Sequence, residues 1–327
     1  YDIVAKMYPD APESHYLLAS RRSVNVASIR TVDEIKALFD VNFSPATLKN
    51  LFLNRMGFDL SGFDKIIITS GFTNIEQVVN YRSPADRSKI NALIDLLAKD
   101  ILLHTQSERD ELMKYYSNEG IVSNERSAIV DIGHNGTMQK SLSALLDKPL
   151  IGYYFCTFNE ITKNISPEIG LAKGYIADEL NPKTSSHPYG KNILMFEMAF
   201  LNAQGSFVRF LQGKPVHLSV KHESKRVEFT LHLHKGICDF NEDLVSRYGD
   251  IIKDLDVSAI GSSKAYCYFL NNPSYTDTSA FVGICFENKY SCRDIQFLLT
   301  SKNDKKNSSL WEKGSEVISN YESIEKR

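Results

Sequence analysis

A chain of 327 residues with 43% hydrophobic and 24% charged side chains has the make-up of an ordinary folded protein, long enough for one large domain or two modest ones. A formal net charge of −2 excludes a global electrostatic pull toward nucleic acid or an anionic membrane. No apolar run approaches the ~20 residues that span a bilayer, so the expectation is a chain without a transmembrane segment or signal peptide. Five widely spaced cysteines (Cys156, Cys238, Cys267, Cys285, Cys292) form no CxxC pair, which argues against a metal or disulfide framework and for a reducing cytoplasm. The 18 Phe and 16 Tyr suit carbohydrate contact, though equally a packed core. Opening on Tyr1 and closing on Glu325-Lys326-Arg327, the chain reads as a piece of a longer polypeptide.

In chain order, His15–Ser20 reads as a buried strand that stops at Arg21-Arg22. From about Val32 to Arg55, apolar residues recur at helical spacing, with a second helix started by Ser44-Pro45 and ended by Gly57. Lys65–Thr69 fits a strand or a buried helix equally. Ser83-Pro84 opens a long helical region that runs to Gly120. Residues 128–158 form a β-loop-α-β unit: strand Ala128–Ile132, helix from about Thr137 to Leu146, strand Leu150–Phe155. Such units build parallel sheets, and ligands bind outside the carboxyl ends of the strands. His15–Ser20 is expected as a neighbouring parallel strand.

The polar stretch Asn181–Pro188 marks a boundary between a first domain, residues 1–182, and an accessory region, 183–327. Beyond it come an apolar helix Ile193–Phe200 and the turn Gln204-Gly205-Ser206. Alternation in Val216–Val220 and Val227–Leu233 suggests a hairpin closed around Glu223–Arg226. The rest reads as helical, ending in a charged tail at Lys302–Lys306. The expected fold is α/β, a Rossmann-like mostly parallel sheet with a smaller α+β accessory region.

The loop Asp131-Ile132-Gly133-His134-Asn135-Gly136-Thr137-Met138 carries the clearest chemistry. Glycines let loop amides approach a phosphate, Thr137 can cap the helix or donate to a phosphate oxygen, and Asp131 can meet ribose hydroxyls or a hydrated Mg²⁺. The bland alternative is a tight turn with Asp131 or Thr137 as a helix cap. The loop is neither a Walker A motif nor G-x-G-x-x-G. Ser20-Arg21-Arg22 is a second candidate, since paired guanidinium groups grip phosphate bidentately; alternatively one arginine pairs with a core carboxylate. His232 and His234 share one face of the expected strand but lack a third metal ligand, and Ser70-Gly71 reads as a loop or helix end.

The strand, acid, two glycines and threonine resemble the PRPP-binding loop of phosphoribosyltransferases, with one acid in place of a pair and His134 inserted. Taken with Tyr16–Arg22, Val130–Gln139 and Glu197 ahead of Gly205-Ser206, the chain resembles over residues 1–210 a phosphoribosyltransferase-like domain of bacterial polysaccharide (O-antigen or capsule) biosynthesis. Members are often fused to haloacid-dehalogenase-type phosphatases or glycosyltransferases, and usually carry Trp where this chain has His134. The resemblance implies transfer of 5-phosphoribosyl from PRPP to a sugar hydroxyl of a lipid-linked glycan, with release of pyrophosphate. It implies Mg²⁺ at Asp131, and PRPP phosphates held by Ser20, Arg21, Arg22 and Gly133–Met138. Asp131 and Glu197 are the implied catalytic acids. It also implies a separate phosphatase for the 5-phosphate and a cytoplasmic place at the inner membrane. The alternatives are a sugar-nucleotide-dependent glycosyltransferase and a non-catalytic glycan-binding module.

Overall fold

Strong capping signals and helical periodicity govern the first 120 residues. In the computed structural model, which describes residues 1–124, 126–185, 187–255, 257–301 and 309–324, they fold as α1 (Asp2–Ala5), α2 (Arg21–Ser28), α3 (Val32–Phe39), β1 (Ala46–Thr47), α4 (Leu48–Met56), α5 (Asp64–Thr69), β2 (Val78–Val79) and α6 (Pro84–Asn118). Lys65–Thr69 is therefore helix. In α6, Ser83 accepts from the Asp86 amide at 3.2 Å and Pro84 sits at the first helical turn, as the sequence predicts. Thr47, not Ser44-Pro45, caps α4, and Gly57 ends it with φ of 70°. Leu48, Leu51 and Phe52 of α4 pack with Ile90, Leu93 and Leu97 of α6 in the largest core cluster.

The expected strand His15–Ser20 is a correction. The segment is extended but pairs with no strand; it lies over a core shared by α6 and α7 (Thr137–Leu146), where Leu17, Leu18 and Ala19 pack. The Leu18 amide donates to Tyr115 Oη at 3.0 Å in place of a sheet partner. Helix formation then wins at Arg21, because Ser20 and Ser23 make a reciprocal capping box.

Around α7 the expected unit is present: β3 (Ala128–Asp131), α7, then β4 (Leu150–Phe158), with β3 and β4 parallel. After α8 (Ile161–Asn164), β5 (Gly170–Leu180) adds a third parallel strand beside β4. Gln139 of α7 fastens the layers: its Nε2 donates to Leu150 O and Leu171 O at 2.8 and 2.9 Å, and its Oε1 accepts from Tyr154 Oη at 2.8 Å. A side chain at Gly152 would collide with that amide.

This is a three-strand parallel sheet, smaller than the Rossmann-like sheet expected. Leu150, Gly152 and Tyr154 face inward, while Ile151, Tyr153, Leu171 and Val130, the last 79% exposed, lie on the open face. Parallel sheets are usually covered on both faces, and there the strands read as continuous apolar runs. The alternating burial here marks a second face that is open at Ile151 and Tyr153 and covered further along, where Phe155 packs on Phe196 and Phe200.

The remaining elements are α9 (Pro188–Lys191), α10 (Ile193–Phe200), β6 (Phe207–Leu211), β7 (Lys214–His217), α11 (Ser224–Tyr248), α12 (Ala259–Asn271), α13 (Tyr275–Phe281), β8 (Cys285–Asn288), β9 (Arg293–Phe297) and α14 (Glu312–Ile324). The expected hairpin is displaced. Residues 214–217 pair backward with β6 across Gln212-Gly213, both at positive φ (51° and 75°), as a two-residue hairpin turn requires. Val227–Leu233 lies inside the 25-residue α11, where a short alternating stretch yields to helix supported by the Lys235–Asp239 and Asp243–Arg247 pairs. The expected helical remainder also contains the antiparallel β8–β9 pair. Lys302–Lys306 lies outside the described residues.

One buried ion pair joins α2 to α6 and, through two carbonyls, to the end of α4 and to β6. Arg22 donates to both Glu108 oxygens (2.8 and 2.6 Å), to Met56 O at 2.7 Å, and to Val208 O. His104 Nε2 lies 2.9 Å from Met56 O and 3.2 Å from Glu108 Oε1. Gly57 admits this packing, since a Cβ there would strike the Arg22 guanidinium. Burial pushes the Glu108 carboxyl up, but hydrogen bonding from His104 and the Arg22 charge overcome it and hold the group below the usual carboxylate range. Glu108→Ala leaves Arg22 buried and unpaired, so urea denaturation at pH 7 is expected to show a loss of about 3–5 kcal/mol. Because the folded-state pKa of Glu108 is depressed, its ionisation stabilises the fold above the unfolded value of about 4.3. The gap between wild type and variant should therefore narrow as pH falls through the lower folded value.

Candidate functional site

Asp131 ends β3, where the chain leaves the sheet, and its Oδ1 accepts from the Gly133 amide at 2.8 Å. That short turn aims the carboxylate back over the loop and leaves Oδ2 without a hydrogen bond among the described residues. Gly136 then takes φ of 68° and is itself the N-cap of α7, without a side-chain cap. A Cβ on Gly136 would stand 2.8 Å from Ile165 Cγ1, so both conformation and space require glycine. Neither Asp131 nor Thr137 caps the helix. The amides of Asn135, Gly136 and Thr137 donate to no acceptor among the described residues, and the exposed Thr137 stands at the first position of α7. Unfilled amides at a helix N-terminus form an anion-binding end.

Residues distant in sequence gather at this loop. Burial raises the Asp131 carboxyl above the usual aspartate range; the Gly133 amide and the His134 charge oppose the rise, the Glu197 charge adds to it, and Arg21 opposes it. Glu197, His134 and Arg21 thus lie within electrostatic reach of Asp131. His134 Nε2 stands 3.5 Å from Glu197 Oε1 without forming a hydrogen bond. The imidazole is buried, stacked on Phe158 at 4.5 Å and edge-on to Tyr189 at 5.6 Å.

The expected phosphate ligands divide. Arg21 is exposed and near Asp131; Arg22 is a correction, because its guanidinium is consumed by Glu108 and two carbonyls inside the core. Ser20 is likewise spent, its hydroxyl accepting from the Ser23 amide at 3.0 Å. Gly133 donates to Asp131, so its amide is not available to an anion. The His134 ring points inward to Glu197, away from a phosphate cradle. Met138 is half-buried on α7 and makes no polar contact. Glu197 is brought to the site by α10, its side chain 28% exposed, and is not simply turned to solvent.

Several features escape sequence reasoning. Tyr189 and Tyr266 pack on Phe196, the residue before Glu197 (4.8 and 5.9 Å), and only the Tyr-rich composition hinted at them. Cys156 is buried beneath His134, which contacts its carbonyl at 3.3 Å. Burial, with Asp178 nearby, pushes its thiol up to about 11, so it is not a nucleophile at neutral pH. His232 and His234 sit on α11, not on a strand, and each is engaged with a carbonyl. Ser70-Gly71 is the end of α5, with Gly71 at φ of 93°.

No family model matches the chain, and no curated protein matches it. Among the described residues no helix is long and apolar enough to cross a membrane, and no group of three or more His, Cys, Asp or Glu is placed to hold a metal. Mg²⁺ is ordinarily bound by one or two carboxylates plus substrate phosphates and water, not by an all-protein cage. The unpaired Oδ2 of Asp131, beside the open amides, fits that mode.

Asp131 has a raised folded-state pKa, so ionisation at pH 7 opposes folding. Asp131→Asn keeps the oxygen that accepts from Gly133 and should raise the melting temperature at pH 7, the difference fading as pH falls toward the unfolded value of about 3.9. Gly136→Ala forces a positive φ and a clash on the same turn; calorimetry should show a loss of about 1–3 kcal/mol.

Proposed function

We propose that the protein is a PRPP-dependent transferase that moves 5-phosphoribosyl onto a sugar hydroxyl of a growing bacterial surface glycan. The observation that carries this reading is Asp131 at the head of a loop whose Asn135–Thr137 amides are unfilled among the described residues, with Glu197 beside His134 and with Glu197 and Arg21 within electrostatic reach of Asp131. Anionic phosphates suit the amides, the Thr137 hydroxyl and the Arg21 guanidinium. In this reading Asp131 would accept from ribose hydroxyls and would hold Mg²⁺ together with substrate phosphate. Mg²⁺ supplies charge neutralisation at the leaving pyrophosphate.

In the reaction the bond between the anomeric carbon and pyrophosphate breaks, its electron pair leaving with the pyrophosphate. Positive charge develops at the anomeric carbon, and the acceptor oxygen bonds there while its proton passes to Glu197. Arg21 and the loop amides stabilise the departing charge. A phosphatase, on a partner or a fused domain, would then remove the 5-phosphate, and a lipid-linked glycan would be the acceptor.

Thermal unfolding tests the donor. PRPP with Mg²⁺ should raise the melting temperature, whereas nucleotide sugars should not; the reverse pattern would replace this reading with a sugar-nucleotide glycosyltransferase. Glu197→Gln should lower turnover about 10²–10⁴-fold, read as pyrophosphate release, while the PRPP-induced shift persists. Thr137→Ala should weaken the PRPP shift itself.

A further inference from the structure

Buried polar atoms without a partner are rare in folded proteins, and each costs about 1–3 kcal/mol. Three belong to one connected aromatic cluster, reached from Glu197 through His134: His134 Nε2, Tyr189 Oη and Tyr266 Oη. Tyr189 is 1% exposed, and His134 is nine-tenths buried. They are joined by contact: the Tyr189 ring meets His134 edge-on, Phe196 packs on both tyrosines, and His134 Nε2 stands 3.5 Å from the Glu197 carboxylate. The Tyr189 hydroxyl also lies within electrostatic reach of Glu197 and Tyr266. The carboxylate is partly open to solvent, while the donors behind it are closed off. Phe155, Phe196 and Phe200 form one aromatic group next to it, and Phe200 is exposed at its rim.

We propose that Tyr189, Tyr266 and His134 form, with Glu197, a subsite for a neutral sugar, the phenols and imidazole hydrogen-bonding its hydroxyls and the phenylalanines covering an apolar ring face. The assignment rests on the transferase reading for the role of the sugar as acceptor. Its chemistry is independent of the donor. A phenol both donates and accepts, a carboxylate accepts, and a pyranose offers adjacent hydroxyls that do both. Aromatic rings suit its C–H face. A phosphate is disfavoured at this subsite because Glu197 would repel it; anions belong at the amides of Asn135–Thr137. In transfer, the sugar hydroxyl seated at Glu197 gives up its proton there. Tyr189 and Tyr266 are positioning residues that fix which hydroxyl is presented.

The test uses Tyr189→Phe and Tyr266→Phe, alone and together, in the full chain. Saturation-transfer NMR is run with a panel of galactose, glucose, N-acetylglucosamine and rhamnose, with and without PRPP and Mg²⁺. We expect one or more of these sugars to bind the wild type, and each variant to bind it about tenfold more weakly. The melting temperature of the free variants should stay level or rise, since an idle buried hydroxyl has been removed. The proposal is overturned if no sugar of the panel binds the wild type under either condition, if binding is equal in wild type and double variant, or if Tyr→Phe lowers the melting temperature with sugar binding intact. That last result would mean the hydroxyls are satisfied by structural water. Sugar binding without any PRPP-induced shift would sink the transferase reading and leave the subsite standing; a PRPP shift without sugar binding would do the opposite.

Discussion

The pairing of Arg22 with Glu108 is the constraint on which the rest of the arrangement depends. Two ions taken out of water are tolerated only when nearly every donor and acceptor is used, and here the guanidinium serves a carboxylate and two carbonyls at once. Those partners come from α6, the end of α4 and β6, so one side chain sets where α2 lies against three other elements. Successive residues on a helix point about 100° apart. With Arg22 drawn into the core, Arg21 is left on the outer side, near Asp131. The two adjacent arginines thus have opposite duties, one holding the fold and the other contributing charge to the candidate site.

The site itself carries several groups in unfavourable states. Asp131 is buried beyond what its hydrogen bond compensates, His134 and two tyrosines have atoms without partners, and a second carboxylate lies close by. By contrast Gln139, Ser143 and Thr157 each make at least two hydrogen bonds. Of the seven buried side-chain atoms without a hydrogen bond among the described residues, four belong to this loop and the aromatic cluster behind it, and Arg22 Nε, Arg55 Nε and Thr230 Oγ1 lie elsewhere. The rigid layer beneath it supplies the support. Gln139 ties α7 to β4 and β5, so the loop ahead of α7 is anchored on both sides.

Local chemistry was legible where it is self-contained. Ser83-Pro84 and Gly57 marked helix ends because a cap needs only its own turn. The β3–α7–β4 unit was readable because strand, glycine turn and amphipathic helix follow one another directly. The failures share a cause. His15–Ser20 has the composition of a strand, yet Leu17, Leu18 and Ala19 pack over the core shared by α6 and α7 without pairing with a strand; a serine capping box then turned the chain into helix. Val227–Leu233 alternates over seven residues, but α11 extends far beyond that window and its period prevails. The true partner of residues 214–217 was announced by the two-residue turn Gln212-Gly213 upstream.

The amino-acid sequence by itself determined the turn between β3 and α7, the acid at its head and the glycine that its backbone demands, because these depend on interactions among residues a few positions apart. It also determined that Glu197 rides on an apolar helix. Only the tertiary structure decided which arginine is free, that His134 turns toward Glu197 and away from the loop's open amides, and that Tyr189 and Tyr266 join them. Those outcomes turn on burial and charge pairing between segments some 60 to 180 residues apart, where the competition for a partner is settled by packing and leaves no trace in local spacing.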